Sequence, residues 1–213
     1  MTRRQPPAAD VVRCPWPGIA DPEYARDHDE EWGVPLDDDR AIFEKLALEG
    51  FQSGLSWLTI LRKRDNFRRA FAGFAPARIA RFGDADVARL MADAGIVRNR
   101  AKIEATISNA RAYLELAGTS RDRKPLATLI RDAAGPLPPT PPRRVHADVP
   151  AQTDASRRVS KALKAAGFRF VGPTTVYAFM QSSGMVNDPL AGCHRHAPCA
   201  ELQLRAGRAG RRG

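Results

Sequence analysis

Apolar residues recur every three or four positions along this chain, and no segment alternates apolar and polar residues as a half-buried strand does. The pattern therefore predicts helices throughout. A first run ends at Gly50 and places Ile42, Leu46 and Glu49 on one face. A second run is predicted from about residue 56 to 71, with Phe67, Phe71 and Phe74 pointing inward and its basic residues outward.

Later helices are marked by capping residues as well as by spacing. Asn99 is placed to cap a long helix, Thr153 or Asp154 to start another, and Pro173 to open a third. The proline-rich stretch 135–142 between them predicts an extended connector. We expect a single domain over residues 12–197, a disordered N-terminal extension over 1–11 and a basic disordered tail over 198–213.

Charge narrows the function classes. Of the 213 residues, 43% are hydrophobic and 27% charged, which is ordinary for a globular protein, but the net charge is +10. Subtracting the four arginines of residues 205–213 still leaves +6. A basic protein favours a polyanionic partner, nucleic acid first, and the alternative is simply a solvated basic surface.

Targeting signals are missing from the pattern. No run reaches the ~18–20 apolar residues of a membrane span, and the N-terminus has no apolar segment of a secretory signal. The three cysteines are too few, and odd in number, for a disulfide scaffold. We therefore expect a cytoplasmic protein without membrane contact.

Glu49 and Trp57 are the first candidates for chemistry. Glu49 lies on the core side of its helix, where an ionised carboxylate is costly unless it is paired. Trp57 shares a face with Gly54 at the start of the next helix. An acid and an indole lining one cavity would suit a flat, positively charged ligand. The alternative is a glutamate paired with an arginine and a tryptophan that only packs.

Residues 90–103 suggest a helix, a short hairpin and a second helix, an arrangement that can hold a DNA phosphate on backbone N–H groups. Gly95 stands where a left-handed helix end is expected. Arg98, Asn99 and Arg100 would reinforce the phosphate contact. An ordinary corner between two helices fits the same sequence.

Cys14, His28 and Cys193 are possible soft metal ligands. Their spacing matches no common zinc finger, so three unrelated residues remain the alternative. His194 and His196 lie close to Cys193 and add further candidates.

Six segments taken together resemble the 3-methyladenine DNA glycosylase I family of the helix-hairpin-helix superfamily. They are CPW at 14–16, DPEY at 21–24, HDEEWGVP at 28–35, LEGFQSGLSWLTILRKR at 48–64, DAGIVRNRAKI at 93–103 and ALKAAGFRFVGPTTVYAFMQSSGMVND at 162–188. The resemblance covers about residues 12–196. It implies an all-α helix-hairpin-helix fold that flips N3-methyladenine out of alkylated double-stranded DNA and hydrolyses its N-glycosidic bond without lyase activity. We also expect the protein to be a monomer.

The resemblance also assigns roles to individual residues. Glu49 matches the glutamate that reads the base, and Trp57 the tryptophan that stacks on it. Trp16 and Trp32 match other aromatic residues of the pocket. The remaining assignments concern DNA: a loop that enters the gap in the duplex, at Gly54 and Leu55, and the phosphate-holding hairpin, at residues 93–103.

Two departures from the family pattern stand out. The family holds a structural zinc on two cysteines and two histidines, and Cys14, His28 and Cys193 match three of them. Pro189 occupies the position of the other histidine. Either His194 or His196 substitutes, a water fills the place, or zinc is absent; we favour His196, because two intervening residues let the chain turn back from Cys193. The second departure is Asp27, which replaces a pocket tyrosine.

Two rival functions remain open at this point. The first is a diverged member that binds damaged DNA with weak or no excision. The second is a non-catalytic basic helix-hairpin-helix module that grips phosphates without specificity. Release of a free base distinguishes both from a glycosylase.

Overall fold

The computed structural model describes residues 11–209, and the regular elements in that range are helical. In chain order they are α1 Pro22–Arg26, a π-helical turn Asp27–Glu31, α2 Asp39–Gln52, α3 Trp57–Ala70, a 3₁₀ turn Ala72–Phe74, α4 Pro76–Ile79, α5 Asp84–Ala92, α6 Arg100–Thr119, α7 Pro125–Ala134, a 3₁₀ turn His146–Asp148, α8 Asp154–Ala165, α9 Pro173–Ser182 and α10 His196–Ala209. This confirms the all-α prediction. Within the described range, no helix has both the length and the apolar character needed to cross a bilayer.

The helix starts follow from short side chains that accept a hydrogen bond from the first turn. Ser56 caps α3 by accepting from the backbone N–H of Thr59 at 3.2 Å. Asn99 caps α6 by accepting from the N–H of Lys102 at 3.2 Å. Of the two candidates for the start of α8, Thr153 is the N-cap. These three boundaries were predictable because each cap acts within its own turn.

The described residues form two compact units. Unit 1 comprises residues 11–36, 137–151 and 180–209, and unit 2 comprises 37–136 and 152–179. The prediction of one domain over residues 12–197 stays a prediction.

Unit 2 is organised around phenylalanine rings. Phe51 from α2 meets Phe67 of α3, with ring centroids 4.7 Å apart, and Phe71 stacks on Phe74 at 5.7 Å. All four rings are fully buried, as predicted for the three that follow Ser56. Around them α7 packs on α8, and α4 on α6. The core therefore fixes the direction in which α2, α3 and α6 present their ends.

Unit 1 joins three distant chain segments through backbone contacts. The N–H of Gly33 donates to the carbonyl of Ser182 at 3.2 Å, and the N–H of His194 donates to the carbonyl of Val12 at 2.9 Å. Gly184 has φ +67°, and a Cβ there would lie 2.6 Å from the carbonyl oxygen of Gly33. Only glycine permits this close approach.

Three sequence predictions need correction or restriction. Helix α2 continues past Gly50 to Gln52. The tail predicted to be disordered from residue 198 contains α10, which extends to Ala209, while residues 210–213 lie outside the described residues. Of the N-terminal extension 1–11, only residue 11 is described. The arginines and glycines that suggested disorder follow three residues, Leu202 to Leu204, that let this segment continue as a helix.

Candidate functional site

Glu49 lies in the last turn of α2 and is only 5% exposed. Ile42 and Leu46, which share its face, are buried as well, so the predicted core-facing position is confirmed. A Cβ on the neighbouring Gly50 would come 3.4 Å from that of Phe170, so chain segments pack tightly beside the carboxylate-bearing turn. A carboxylate in such a place favours a cationic partner over a neutral one.

The loop Ser53–Ser56 joins α2 to α3 and is exposed along its length. Gly54 has φ +83°, and nothing lies within 4 Å of where its Cβ would be. The apolar side chain of Leu55 is 42% exposed. Immediately after the helix that carries Glu49, unit 2 therefore has a glycine with open space around it and an exposed leucine.

Trp57 begins α3, and its ring is half-buried. The ammonium of Lys45 lies 4.9 Å from the centroid of that ring, within the range of a cation–π contact. Lys45 is on α2, one helical turn before Glu49. Lys45 was not predicted as a site residue, although its spacing of four residues from Glu49 was a usable signal.

The hairpin between α5 and α6 is held from α3. Lys63 donates to the carbonyl of Ala94 at 2.8 Å, and Asn66 donates to the carbonyl of Gly95 at 3.2 Å. Gly95 does not have the left-handed conformation that we predicted. It is needed instead because a Cβ would lie 2.8 Å from a carboxylate oxygen of Asp93 and 3.0 Å from the amide nitrogen of Asn66.

The side chains that follow the hairpin are exposed. These are the three predicted phosphate contacts, Arg98, Asn99 and Arg100. The side-chain oxygen of Asn99 accepts from the first turn of α6, and Arg100 forms an ion pair with Glu104 at 3.3 Å. The guanidinium groups therefore stand beside a helix N-terminus, a place that suits an anion.

Unit 1 contains an aromatic cluster centred on Trp16. Its ring centroid lies 4.9 Å from that of Trp32 in a T-shaped pair, 4.8 Å from the imidazole of His28 and 5.4 Å from the ring of Tyr24. The structure thus brings together Trp16 and Trp32, the two residues that match further pocket aromatics of the family. Tyr24 was not singled out beforehand, although it lies in the DPEY segment.

A π-helical turn explains how two successive residues of unit 1 are both buried. It covers Asp27–Glu31, and the N–H of Trp32 donates five residues back to the carbonyl of Asp27 at 2.8 Å. Asp27 and His28 are both almost fully buried. Such turns often occur at functional sites, and the sequence pattern carries no signal for them.

Cys14, His28 and Cys193 converge in unit 1, with their ligand atoms all within 4.8 Å of one another. The backbone N–H of Cys14 donates to Nε2 of His28 at 3.3 Å, while Nδ1 lies 2.8 Å from Oδ1 of Asp29. In the neutral ring that satisfies both contacts, the proton is on Nδ1 and the lone pair of Nε2 faces the cysteine side. An acidic partner behind a metal-binding histidine orients it in this way.

Asp29 joins several groups behind this cluster. It accepts from Arg13 at 2.6 Å and lies 2.8 Å from Nε2 of His194. Burial raises the pKa of Asp29, but the hydrogen bonds from Arg13, His28 and His194 together outweigh it and hold the pKa well below its usual range. Asp29 is consequently a fixed negative charge on the outer side of His28.

Backbone N–H groups donate to both cysteine sulfurs, but only Cys193 is favoured in the thiolate form. The N–H of Leu190 donates to Sγ of Cys14, and that of Arg195 donates to Sγ of Cys193, each at 3.4 Å. A hydrogen bond from Cys14 lowers the pKa of Cys193 to about 4 against the opposing effect of burial, and it raises the pKa of Cys14. Two sulfurs and one imidazole nitrogen are a donor set that suits zinc.

The predicted fourth ligand, His196, does not lie with Cys14, His28 and Cys193 in one metal-capable group. Among the described residues, the groups able to hold a metal are Cys14 with His28 and Cys193, and His28 with Asp29 and His194. His196, our predicted fourth ligand, belongs to neither, and its backbone N–H is bonded to the carbonyl of Cys193 at 3.0 Å. The Nε2 atom of His194 is already engaged by Asp29.

Known proteins resemble this chain over most of its length. The family model described as methyladenine glycosylase matches residues 16–196. The chain is 45% identical over 183 residues to DNA-3-methyladenine glycosylase 1 of Escherichia coli (strain K12), covering 86% of this chain and 96% of that protein. A crystal structure of a 3-methyladenine DNA glycosylase I is 44% identical, with a TM-score of 0.81, and covers 87% of this chain and 100% of its own.

A second crystal structure is that of a variant 3-methyladenine DNA glycosylase I in complex with 3-methyladenine. It is 35% identical to this chain, has a TM-score of 0.75, and covers 84% of this chain and 95% of its own. The family match spans most of the chain, and the sequence identities of 44% and 35% to the two solved structures indicate common family membership as well as a common fold. The chain therefore belongs to the methyladenine glycosylase family and is an enzyme, a DNA glycosylase that acts on an N-glycosidic bond.

Proposed function

We propose that this protein removes N3-methyladenine from alkylated double-stranded DNA by hydrolysing the bond between the base and its deoxyribose, without a lyase step. The observation that carries the proposal is the buried carboxylate of Glu49 at the end of α2. The base it would read is cationic, whereas adenine is neutral. A carboxylate shielded from water discriminates between the two more strongly than one in bulk solvent.

The leaving group explains why little further machinery is required. In N3-methyladenine the base carries a positive charge, so breaking the bond from N9 to C1′ returns the electron pair to the ring and releases a neutral molecule. Water adds to C1′ and gives up a proton to solvent. Recognition and electrostatic stabilisation can supply most of such a rate enhancement without a strong general acid.

Both units contain aromatic side chains among the residues that we propose for substrate binding. In unit 2, Trp57 is the proposed stacking surface. The ammonium of Lys45 lies over this ring, so a cationic base has to stack on the face of the ring that Lys45 leaves open. In unit 1, Trp16 and Trp32 form a ready-made aromatic pair. Asp27, which replaces a pocket tyrosine, is proposed to add a second acidic group for the cationic substrate.

DNA binding is assigned to the exposed parts of unit 2. The open backbone at Gly54 and the exposed Leu55 suit insertion into the space a flipped nucleotide leaves. Gly95 allows the compact hairpin, and Arg98, Asn99 and Arg100 are proposed to hold a phosphate beside the N-terminus of α6.

Removing one phosphate-contacting arginine, in Arg98→Ala or Arg100→Ala, should reduce the log–log salt slope of binding by about 1. An unchanged slope in both would place the binding face elsewhere.

The metal-capable group is proposed to hold a structural zinc through Cys14, His28 and Cys193. For His196 to be the fourth ligand, the turn from Cys193 has to rearrange when the metal binds, and a water is the alternative. Zinc analysis of wild type and His196→Ala, purified without added metal, decides between them. Equal stoichiometric zinc in both would exclude His196, and no zinc in either would remove the site from the proposal.

The proposed setting is the cytoplasm, with the enzyme acting as a monomer on duplex DNA. The three cysteines are free and buried, which suits a reducing compartment. Light scattering of the purified protein, alone and on a short duplex, tests the monomer.

The test of the function is release of the base from a duplex that contains N3-methyladenine. Wild type should release the free base and leave an abasic strand that breaks only after alkali treatment. Glu49→Gln should lose roughly 1–3 kcal/mol of discrimination, the value of one charged hydrogen bond. Glu44→Gln is the matched control, since Glu44 is on the same helix but pairs with Arg68 at 2.7 Å.

Each rival has its own outcome. Preferential binding of damaged duplex with no released base would support the diverged, non-excising member. Equal binding of damaged and undamaged duplex would support the non-catalytic module. Unimpaired excision by Glu49→Gln would move base recognition to another residue.

A further inference from the structure

Lys102 is a buried cation at an unexpected position. Its side chain is only 8% exposed, and Nζ donates to the carbonyl of Phe51 at 2.9 Å and to that of Ser53 at 2.6 Å. Those carbonyls belong to the end of α2, which terminates at Gln52. Lys102 therefore caps the C-terminus of a helix that lies about fifty residues earlier in the chain.

This arrangement has a cost at the lysine's own helix. Lys102 lies in the first turn of α6, where its backbone N–H is held by the cap Asn99. A positive charge is disfavoured near a helix N-terminus, and burial lowers the pKa of the ammonium. The carbonyl end of α2 offsets both effects, because it carries the opposite partial charge.

The groups on either side of Lys102 belong to the proposed DNA-binding machinery. On the α6 side it follows Arg98, Asn99 and Arg100 by two to four residues. On the α2 side it holds the first residue of the exposed loop Ser53–Ser56, only four positions after Glu49. A single side chain thus connects the hairpin to the loop and to the helix that carries the base-reading carboxylate.

We propose that Lys102 is a positioning residue that couples seating of the hairpin on the DNA backbone to the conformation of the Ser53–Ser56 loop and the end of α2. It acts on substrate only through these elements. The inference rests on the proposed function. Loss of its two hydrogen bonds should slow productive flipping in duplex DNA and leave recognition of the free base intact.

The experiment compares Lys102→Met, which keeps the length but lacks the donors, with Lys102→Arg, which keeps donors and charge. Lys164→Met, an exposed lysine of α8, controls for lost charge. Four quantities are measured on the full-length protein: the single-turnover excision rate, the affinity for free 3-methyladenine, the salt slope of duplex binding and the urea midpoint.

Lys102→Met should lower the single-turnover rate by about tenfold, within the range of coupling between connected elements, while free-base affinity and salt slope stay within about twofold of wild type. Lys102→Arg should recover most of the rate, and Lys164→Met should match wild type. A parallel fall of free-base affinity and rate would assign Lys102 a merely structural role and overturn the proposal. So would an unchanged rate in Lys102→Met.

A second readout separates failure of this proposal from failure of the proposed function. Fluorescence of 2-aminopurine next to an abasic-site analogue reports loop insertion without base release. If wild type inserts but does not excise, the function fails, and a lower signal in Lys102→Met still supports the coupling. If that signal equals wild type, the coupling is wrong. Absence of any duplex binding by wild type overturns both.

Discussion

Different interactions stabilise the interior of each of the two units of this enzyme. Unit 2 is built on fully buried rings contributed by neighbouring stretches of chain, such as Phe67, Phe71 and Phe74. Unit 1 joins segments as distant as residues 14 and 193 through ionic and hydrogen-bonded contacts around Asp29 and the Cys14–His28–Cys193 group. An apolar core is stable without a ligand, whereas the cluster of sulfurs and imidazole in unit 1 is proposed to be completed by a metal. The two units should therefore respond differently to loss of a ring and to loss of a metal.

The largest effect should come from removing a ring from unit 2. Phe67 is fully buried between Phe51 and Phe71. Phe67→Ala should lower the free energy of unfolding by about 3–5 kcal/mol, since both transfer energy and packing are lost. Urea denaturation measures the change. Phe82→Ala serves as control, because Phe82 lies at the edge of the cluster, 6.5 Å from Phe71, and is not fully buried. Equal losses in the two variants would contradict a core centred on Phe67.

Metal removal, in contrast to loss of a ring from unit 2, should destabilise unit 1. A chelator should reduce hydrogen-exchange protection in residues 11–36 and 180–209 by about 100-fold or more, because the proposed structural zinc would contribute several kcal/mol. Protection in α3 and α6 should stay nearly unchanged. Mass spectrometry of exchanged peptides measures both units at once.

Cysteine variants provide the matched control for that experiment. Cys14→Ser should lose the metal and reproduce the effect of chelation. Cys199→Ala should retain it, because Cys199 is buried and free but is not in either metal-capable group. Equal loss of protection in both units after chelation would mean that the units do not differ as described.

The buried carboxylate of Asp39 tests how far the stability of unit 2 depends on its apolar core alone. Asp39 is buried, and its carboxylate accepts from the N–H groups of Leu126 at 3.1 Å and Ala127 at 2.9 Å. Asp39→Ala would leave two N–H groups at the start of α7 unpaired and should cost about 2–3 kcal/mol. Asp38→Ala, which removes only the exposed cap of α2, should cost about 1 kcal/mol. Urea midpoints that do not differ would show that water replaces Asp39.

The same contrast explains what the sequence could predict. Phe67, Phe71 and Phe74 were identified because helical periodicity is a local property of the chain. Asn99 and Thr153 were identified because a cap acts within one turn. Glu49 and the Cys14–His28–Cys193 group needed the family resemblance to give them a meaning beyond spacing.

What was missed depends on contacts that no local pattern records. Asp29 meets His194 across 165 positions, and Lys102 meets the carbonyl of Phe51 across 51. The π-helical turn at Asp27–Glu31 adds one residue to a helix without any compositional mark. Helix α10 was read as tail because its arginines and glycines resemble those of disordered segments.

The smallest effect concerns Tyr113, whose phenol forms a hydrogen bond with Asp39. Burial, followed by the charge of Asp39 and a hydrogen bond to it, raises the pKa of Tyr113 to about 12. Below the usual tyrosine pKa of about 10 the phenol is neutral in both the folded and the unfolded chain, so its stabilising contribution is fully present. Between about pH 10 and 12 the unfolded chain ionises first, and that contribution is lost as pH rises. Because the phenol is partly exposed, solvent screening should limit the loss to about 1 kcal/mol.

Tyr113→Phe separates this contribution from every other group that titrates at high pH. The variant should be less stable than wild type by about 1 kcal/mol at pH 8, the value of one hydrogen bond. The difference should shrink towards zero as the pH approaches 12. Urea unfolding of both proteins at several pH values between 8 and 12 measures it. A difference that stays constant over this range would mean that the phenol of Tyr113 ionises equally in the folded and unfolded chain, and that Asp39 holds α7 without help from the tyrosine.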